Sequence, residues 1–212
     1  DINTIYALIA GTTKPVGTSF TLGSAVAPAI EMFDHAMGGP GSFHKRPCCK
    51  VHISPIISPL KYGEDAFDVA KAAIDNNMVI NAIIAAQSGA TAPAPLAGML
   101  AQTTAETLAA LMMVNVIKPG HPMIFSNWPF VVDLRTGSFS GSGGEISVLN
   151  AAAAQISNEL GLVSGVASSM ADAKAIDAQM GVEKGISSLA AGLAGANMIY
   201  ESAGMMASLL GA

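Results

Sequence analysis

Residues 78–127 read MVINAIIAAQSGATAPAPLAGMLAQTTAETLAALMMVNVIKPGHPMIFSN and contain one complete strand–helix–strand unit. The apolar runs at 78–86 and 123–127 are short and uninterrupted, as expected for strands that are covered on both faces of a sheet. The stretch between them predicts a helix over residues 95–117, which ends at the Lys-Pro-Gly sequence of 118–120. Two strands joined by a helix in this way are typical of a parallel sheet.

The same alternation occurs about six times along the chain. Further strands are predicted at 4–10, 49–57, 163–168 and 197–200, and further helices at 24–37, 64–76, 145–160 and 175–194, with a Gly/Ser-rich loop at 128–144. About six βα units predict an α/β fold that forms part of a (β/α)8 TIM barrel, which usually needs about 250 residues. A doubly wound open sheet is the alternative, but the loop GTTKPVG at 11–17 lacks the Gly-x-Gly-x-x-Gly turn that such a sheet would need. We expect residues 1–212 to form a single domain, a partial barrel.

The composition limits the classes of partner. The chain has 212 residues, a formal net charge of −5 and only 12% charged residues, against about 25% in an average soluble domain. The acidic balance argues against nucleic acid as a partner. Because 51% of the residues are hydrophobic, much of the surface must be covered, which predicts a homo-oligomer or a large face that is covered by the remainder of a longer chain.

The sequence also bears on membrane insertion and on the cellular compartment. The uncharged stretch at 77–105 is long enough to cross a bilayer, but its interior holds several polar residues and a Gly-Ala-Thr-Ala-Pro turn, so we expect no membrane span. We expect no secretory leader, because no basic segment followed by an apolar one is recognised in these residues. Its two cysteines, Cys48 and Cys49, are neighbours and suit reduced thiols better than a disulfide. These features predict a cytoplasmic protein.

Polar and aromatic residues at the carboxyl ends of the predicted strands are the candidate ligand-binding residues, because a parallel barrel forms its active site there. They are His52, Gln87, Trp128, Phe130, Asp133, Arg135, Lys174, Tyr200 and Glu201. Structural roles are the alternatives: a core position for His52, packing for the aromatic residues, and an ion pair between Asp133 and Arg135. Glu201 follows an apolar run and would be costly to bury without a partner, which favours a binding role. No zinc-binding or phosphate-loop spacing is present, so no metal site is predicted.

Several short motifs, in this order, resemble the trimethylamine methyltransferase family. They are RPC at 46–48, SPIISPL at 54–60, GATAP at 89–93, LAG at 96–98, Gln102, AE at 105–106, PGHPMI at 119–124, DLRTG at 133–137, DAK at 172–174, DAQ at 177–179 and Glu183. Together they extend over nearly the whole chain. Because the sequence shows no pyrrolysine, it is similar to the non-pyrrolysine branch, of which glycine betaine:corrinoid methyltransferase is typical.

The resemblance implies a (β/α)8 barrel and a methyltransferase that moves a methyl group from a methylated amine, such as glycine betaine, to the Co(I) of a corrinoid. It implies that this corrinoid (cobalamin) is carried by a separate protein, and that the chain itself holds no tightly bound cofactor. The partners are then a small methylated amine and the corrinoid protein, within one-carbon metabolism that includes methanogenesis. A quaternary ammonium leaves as a neutral amine without a general acid, so the enzyme's main task is to bind and orient the cation.

Roles for the candidate residues follow from this chemistry. Aromatic faces and a carboxylate are the groups that hold a desolvated ammonium cation. We assign Trp128, Phe130 and Tyr200 to an aromatic cage. Glu201 or Asp133 is expected to supply the counter-charge.

A substrate carboxylate would be bound by Arg135, His52 or Lys174, with Gln87 as a further polar contact.

Two other function classes stay open. A non-catalytic barrel would bind a methylated amine or a corrinoid protein without turnover; the Gly-rich loop at 137–144 favours catalysis, because it can act as a lid or docking edge. An unrelated barrel aldolase or lyase needs a strand-end lysine for a Schiff base, and the candidate lysines lie in predicted loops.

Overall fold

A computed structural model describes residues 1–203 and 205–206 of the chain. Its α-helices are α1 Ile2–Gly11, α2 Val26–Ala36, α3 Ser42–Lys45, α4 Glu64–Asp75, α5 Leu96–Ile117, α6 Gly144–Glu159 and α7 Ala178–Leu193. Its strands are β1 Val16–Thr18, β2 Cys49–Ile53, β3 Ile56–Ile57, β4 Lys61–Tyr62, β5 Val79–Ile84, β6 Gln87–Ser88, β7 Met123–Asn127, β8 Phe130–Asp133, β9 Ser138–Ser140, β10 Ser164–Ala167 and β11 Met198–Tyr200.

The main sheet has six strands, and their order is β1-β2-β5-β7-β10-β11. The pairs β1·β2, β2·β5, β7·β10 and β10·β11 are parallel. Across the sheet, the strands follow one another in the same order as along the chain. The sheet therefore lacks the reversal of strand order that marks a doubly wound fold. The predicted α/β class with a parallel sheet is confirmed, and the order is compatible with part of a (β/α)8 barrel.

The described chain divides into two compact units. The first unit contains Asp1–Pro55, Tyr62–Ala82 and Ala109–Ile124, and the second contains Ile56–Lys61, Ile83–Leu108 and the described residues from Phe125 onward. The single domain over 1–212 stays a prediction, and its range extends beyond the described residues.

The core of the first unit is formed by the inward faces of its helices and the alternating residues of β2. Helix α4 has two acidic residues in its first turn, where they favour the helix dipole, and it buries one apolar face. On β2, Cys49, Val51 and Ile53 are buried while the residues between them are half-buried. Phe33 and Phe43 are also buried, with their ring centroids 5.8 Å apart.

The second unit packs two helices against one face of its strands. Val166 of β10 and Ile199 of β11 lie in a hydrophobic cluster with alanines of α6 and α7. Small side chains at this contact let the helices lie close to the sheet. Since successive side chains of a strand alternate, Ala167 and Tyr200 point to the opposite face.

The strand predicted at 4–10 is wrong, because these residues belong to helix α1. Ile5 is fully buried and Leu8 and Ile9 are half-buried. This i, i+3, i+4 spacing is that of one helix face, whereas a short apolar run alone does not separate a helix from a strand. The first strand of the sheet is instead β1, which begins at Val16 near the end of the loop predicted at 11–17.

The prediction of a loop throughout 128–144 is also wrong in part. Strands β8 and β9 form an antiparallel hairpin there, and β6 pairs with β8 in parallel, so the three make a second small sheet. Phe130, Val131 and Val132 have the aromatic and β-branched side chains that favour strands. The strand was not predicted, because the glycines and serines that follow these residues are typical of loops.

Helix α5 has the length and hydropathy of a bilayer-crossing helix, properties that it shares with core helices of other proteins. About its middle it carries Glu106, which is 1% exposed and hydrogen-bonded.

Candidate functional site

An aromatic pair lies at the carboxyl ends of β7 and β11 in the second unit. Trp128 directly follows β7, and its backbone N–H donates to the carbonyl of Ile84 at 2.8 Å. Its ring centroid is 5.0 Å from that of Tyr200, with 46° between the planes. The strand register pairs Tyr200 with Ala167, so a methyl group is all that the intervening strand presents beside the phenol ring. The small residue allows the two rings to approach each other.

The hydroxyl group of Tyr200 is hydrogen-bonded to two neighbouring side chains. It donates to Sδ of Met198 at 3.4 Å and is hydrogen-bonded to the buried hydroxyl of Ser126. Burial raises the pKa of Tyr200 to about 12, more than the Ser126 hydrogen bond lowers it. The phenol is therefore neutral at physiological pH, and its ring face carries the partial negative charge that attracts cations.

Glu201 follows Tyr200 and has an unusual backbone conformation. Its φ of 70° lies in the left-handed region, which a residue with a Cβ rarely adopts. The side chain is half-buried, and this burial raises the pKa of Glu201 while the charge of Lys184 lowers it. Strained residues of this kind concentrate at ligand sites, where the surrounding structure holds them in place.

Lys184 of α7 is the cation beside Glu201. Its Nζ donates to the carbonyl of Ser169 at 2.6 Å. Burial lowers the pKa of Lys184 and the charge of Glu201 raises it. Lys184 thus links helix α7 to the loop after β10 and sets part of the electrostatic environment of Glu201.

The loop after β10 is fastened to its neighbours through Asp172. The carboxylate accepts hydrogen bonds from Oγ of Ser140 at 2.6 Å and from the N–H of Gly141 at 2.9 Å. The backbone N–H of Asp172 donates to Glu183 of α7 at 2.8 Å. The Gly/Ser-rich segment after β9 is therefore held by a carboxylate rather than only by its own turn.

The other aromatic candidate, Phe130, has a different neighbour. Its ring lies 4.9 Å from that of Phe139, and it is 6% exposed in a cluster with Ile146, Ala167 and Met170. Trp128 packs against this same cluster. Phe130 therefore supports the tryptophan from within the core.

Asp133 and Arg135 pair with each other near the surface of the hairpin. Nε of Arg135 is 3.2 Å from Oδ1 of Asp133, and the arginine side chain is 90% exposed. The backbone N–H of Arg135, followed by its guanidinium, holds the pKa of Asp133 below its usual range. Thr136 donates to the same carboxylate, so these contacts order the turn between β8 and β9.

The remaining predicted residues are more scattered. Gln87 lies on β6 opposite Phe130, and Lys174 is exposed in the loop before α7. His52 belongs to the first unit, where burial, followed by the charge of Lys50, lowers its pKa to about 4. A Cβ at Gly17 would overlap the imidazole of His52, so the ring is packed closely against β1. A neutral imidazole in this position offers no positive charge to a carboxylate.

Glu106 is a buried carboxylate that was not among the site residues predicted from the sequence. It accepts hydrogen bonds from Oγ of Ser58 at 2.6 Å, the N–H of Leu60 at 2.9 Å and Nε2 of Gln102 at 3.0 Å. It therefore fixes the segment after β3 onto α5. The signal was present, because Glu106 is the only charged residue of α5. Lys184 was also missed, since it lies on helix α7 and not at the end of a strand.

Within residues 1–203 and 205–206, no group of three or more His, Cys, Asp or Glu side chains has the arrangement of a metal site. The chemistry offered by the described site is that of two aromatic faces, a half-buried carboxylate and a lysine.

These features define a parallel α/β protein with a candidate site of aromatic and acidic side chains at the carboxyl ends of its strands. A sequence profile of the trimethylamine methyltransferase (MTTB) family matches residues 1–212. The chain belongs to this family.

Curated relatives carry the names of two methyltransferases. Glycine betaine methyltransferase of Desulfitobacterium hafniense (strain Y51) is 30% identical over 178 residues, which are 84% of this chain and 37% of the relative. Trimethylamine methyltransferase MttB of Methanosarcina thermophila is 34% identical over 162 residues, 76% of this chain and 33% of the relative. A protein of the latter name from Desulfitobacterium hafniense (strain DSM 10664 / DCB-2) is 28% identical over 195 residues, 92% of this chain and 39% of the relative. The chain thus spans between a third and two fifths of these relatives.

Proposed function

We propose that this chain is part of an amine methyltransferase that binds the ammonium group of a methylated, quaternary amine such as glycine betaine and presents one methyl group to the Co(I) of a corrinoid protein. The observation that carries the proposal is the Trp128–Tyr200 ring pair, with Glu201 next in the chain. Membership of a family whose relatives are named as methyltransferases supports the transfer reaction.

The ring pair suits a cation that carries methyl groups. A cation over an indole or phenol face gains about 1 to 2 kcal/mol when water is excluded, and tryptophan gives the strongest interaction. Both rings are half-buried, so each offers part of its surface to a ligand. The neutral state of the Tyr200 phenol keeps both rings available as uncharged faces.

Glu201 supplies the counter-charge for the bound cation. Its carboxylate is desolvated by burial, and electrostatic attraction to a cation is stronger where water is scarce. Lys184 favours the ionised form of Glu201, which is the form that attracts an ammonium group. The strained backbone at Glu201 fits a residue that is held in place for binding.

The residues of the chain orient the substrate rather than exchange protons with it. The acceptor, a Co(I) corrinoid on another protein, supplies the nucleophile and forms the new bond to carbon. The carbon–nitrogen bond breaks with its electron pair going to nitrogen, so a quaternary substrate leaves as a neutral tertiary amine. Holding one methyl group in line with the acceptor is therefore the contribution required from Trp128, Tyr200 and Glu201.

The test is methyl transfer by the full-length protein to reduced cob(I)alamin, free or bound to its corrinoid protein, followed by the absorbance of methylcob(III)alamin. The panel is glycine betaine, choline, carnitine and trimethylamine. We expect transfer from a quaternary amine and none from trimethylamine. Silence across the panel with a folded protein that binds the amines would overturn catalysis in favour of binding alone.

A further inference from the structure

The indole N–H of Trp128 is a buried donor, and it has no hydrogen-bond acceptor among the described residues of the chain. A buried donor without a partner costs free energy, so native proteins pair nearly all of them. An indole N–H only donates, and its direction is fixed by the ring, whereas a serine hydroxyl can rotate toward another partner. The group that pairs with Trp128 must therefore bring an acceptor atom to the ring.

The neighbouring Tyr200 differs from Trp128 in this respect. Its hydroxyl is already engaged by Met198 and Ser126. Within the aromatic pair, the face of each ring suits the ammonium group, and the edge of one ring additionally presents a donor. A ligand that satisfies both has a cation and an acceptor oxygen in one small molecule.

The two cationic side chains that were predicted to bind a carboxylate, Arg135 and Lys174, are both exposed. Arg135 is 90% exposed and paired with Asp133. Lys184 donates to Ser169 and faces the charge of Glu201. The N–H of Trp128, a neutral donor on the ring pair itself, is a candidate partner for an anionic oxygen, and hydrogen bonds from neutral donors to carboxylates are among the stronger ones.

We propose that Nε1 of Trp128 donates to a carboxylate oxygen of the substrate, so that the site selects betaines, which carry an ammonium and a carboxylate, over methylamines without an acceptor. The inference rests on the proposed function, because it assigns the cation of the same molecule to the ring pair. It makes Trp128 the specificity-determining residue of the site, through its edge as well as its face.

The experiment compares the dissociation constants of glycine betaine and tetramethylammonium by titration calorimetry with the full-length protein. The two ligands share the quaternary head, and only the first has a carboxylate. We expect the wild-type protein to prefer glycine betaine and Trp128→Phe to reduce that preference roughly tenfold, since a charge-assisted hydrogen bond is lost. Arg135→Ala tests the alternative that its guanidinium binds the carboxylate. Tyr6→Phe, at a 68% exposed position of helix α1, is the control that should leave the preference unchanged.

Replacing Trp128 by 3-benzothienylalanine, which keeps the ring shape and replaces N–H by sulfur, repeats the test if Trp128→Phe does not fold. An unchanged preference in this variant, a loss of preference in Arg135→Ala, or no preference in the wild type would overturn the inference. The assay involves no turnover, so its outcome is separate from that of methyl transfer. Transfer from trimethylamine but from no betaine would contradict the inference while leaving a methyltransferase.

Discussion

Two carboxylates of the second unit, the buried Glu106 and the half-buried Glu201, have different environments. Glu106 is 1% exposed and accepts hydrogen bonds from three donors on its own chain. Glu201 is half-buried, has a left-handed backbone and faces Lys184. A carboxylate whose oxygens are filled by local donors holds a segment in place, whereas a strained one beside an aromatic pair is suited to a ligand.

Removal of the Glu106 carboxylate should have the largest effect on stability. Glu106→Ala leaves the Ser58, Leu60 and Gln102 donors without their acceptor, which we expect to cost about 3 kcal/mol in the free energy of unfolding. Urea denaturation of the full-length protein measures it. Glu106→Gln keeps one acceptor oxygen and should lose roughly half as much. A loss below about 0.5 kcal/mol in Glu106→Ala would show that the contacts of Glu106 do not hold the segment.

Changing the second carboxylate should affect binding more than folding. Glu201→Gln removes the counter-charge, and we expect the dissociation constant for a quaternary amine to rise roughly tenfold at neutral pH. Unfolding should be little altered, because burial already disfavours the charged form of Glu201. Calorimetric titration measures the first quantity and urea denaturation the second. Equal affinities for wild type and variant would remove Glu201 from the site.

The pH dependence of binding provides a second test of the role of Glu201. Since burial raises the pKa of Glu201 above its ordinary value of 4.5, affinity for the cation should rise as the pH increases through that raised pKa. The native state binds the extra proton in this window, so stability contributed by Glu201 should fall over the same range. Titrations between pH 5 and 8 follow the affinity, and the Glu201→Gln variant should lack the slope. A slope that survives in the variant would belong to another group.

The tryptophan of the aromatic pair should contribute about as much to binding as the Glu201 carboxylate. Trp128→Ala removes the larger ring face, which we expect to raise the dissociation constant of a quaternary amine by roughly 5- to 30-fold. The loss of packing against the Phe130 cluster should also lower stability. The binding isotherm is the measurement, made on protein shown to be folded by circular dichroism. An unchanged isotherm would take Trp128 out of the cage.

The surface ion pair should have the smallest effect. Arg135→Ala removes a 90% exposed side chain from its pair with Asp133 and should change the free energy of unfolding by less than about 0.5 kcal/mol. Binding of tetramethylammonium, which has no carboxylate, should be unaltered. A large change in either quantity would mean that the hairpin is part of the site.

The sequence predicted the parallel strands and their order better than it predicted local structure at the start of the chain. Residues 78–86 and 123–127 were recognisable because covered strands are short and continuously apolar. Residues 4–10 have the same composition, and only the burial of Ile5, Leu8 and Ile9 on one face shows a helix. The β8–β9 hairpin was concealed by glycine and serine, which are read as loop residues.

The candidate site residues at strand ends could be predicted from the sequence, whereas those on helices could not. Trp128 and Tyr200 were identified from their places after and within strands, and the structure brings their rings together. Lys184 lies on α7, and its approach to Glu201 depends on how that helix packs. No pattern along the chain reports that distance. Their roles in binding stay predictions until measured.

The most direct test of the account is kcat/KM for methyl transfer from glycine betaine to reduced cob(I)alamin, measured at neutral pH for the full-length wild-type protein and Glu201→Gln. The account predicts methylcob(III)alamin formation by the wild type and roughly a tenfold lower kcat/KM for the variant, with its fold retained. Equal values for the two proteins, or no transfer by a folded wild type that binds glycine betaine, would contradict it.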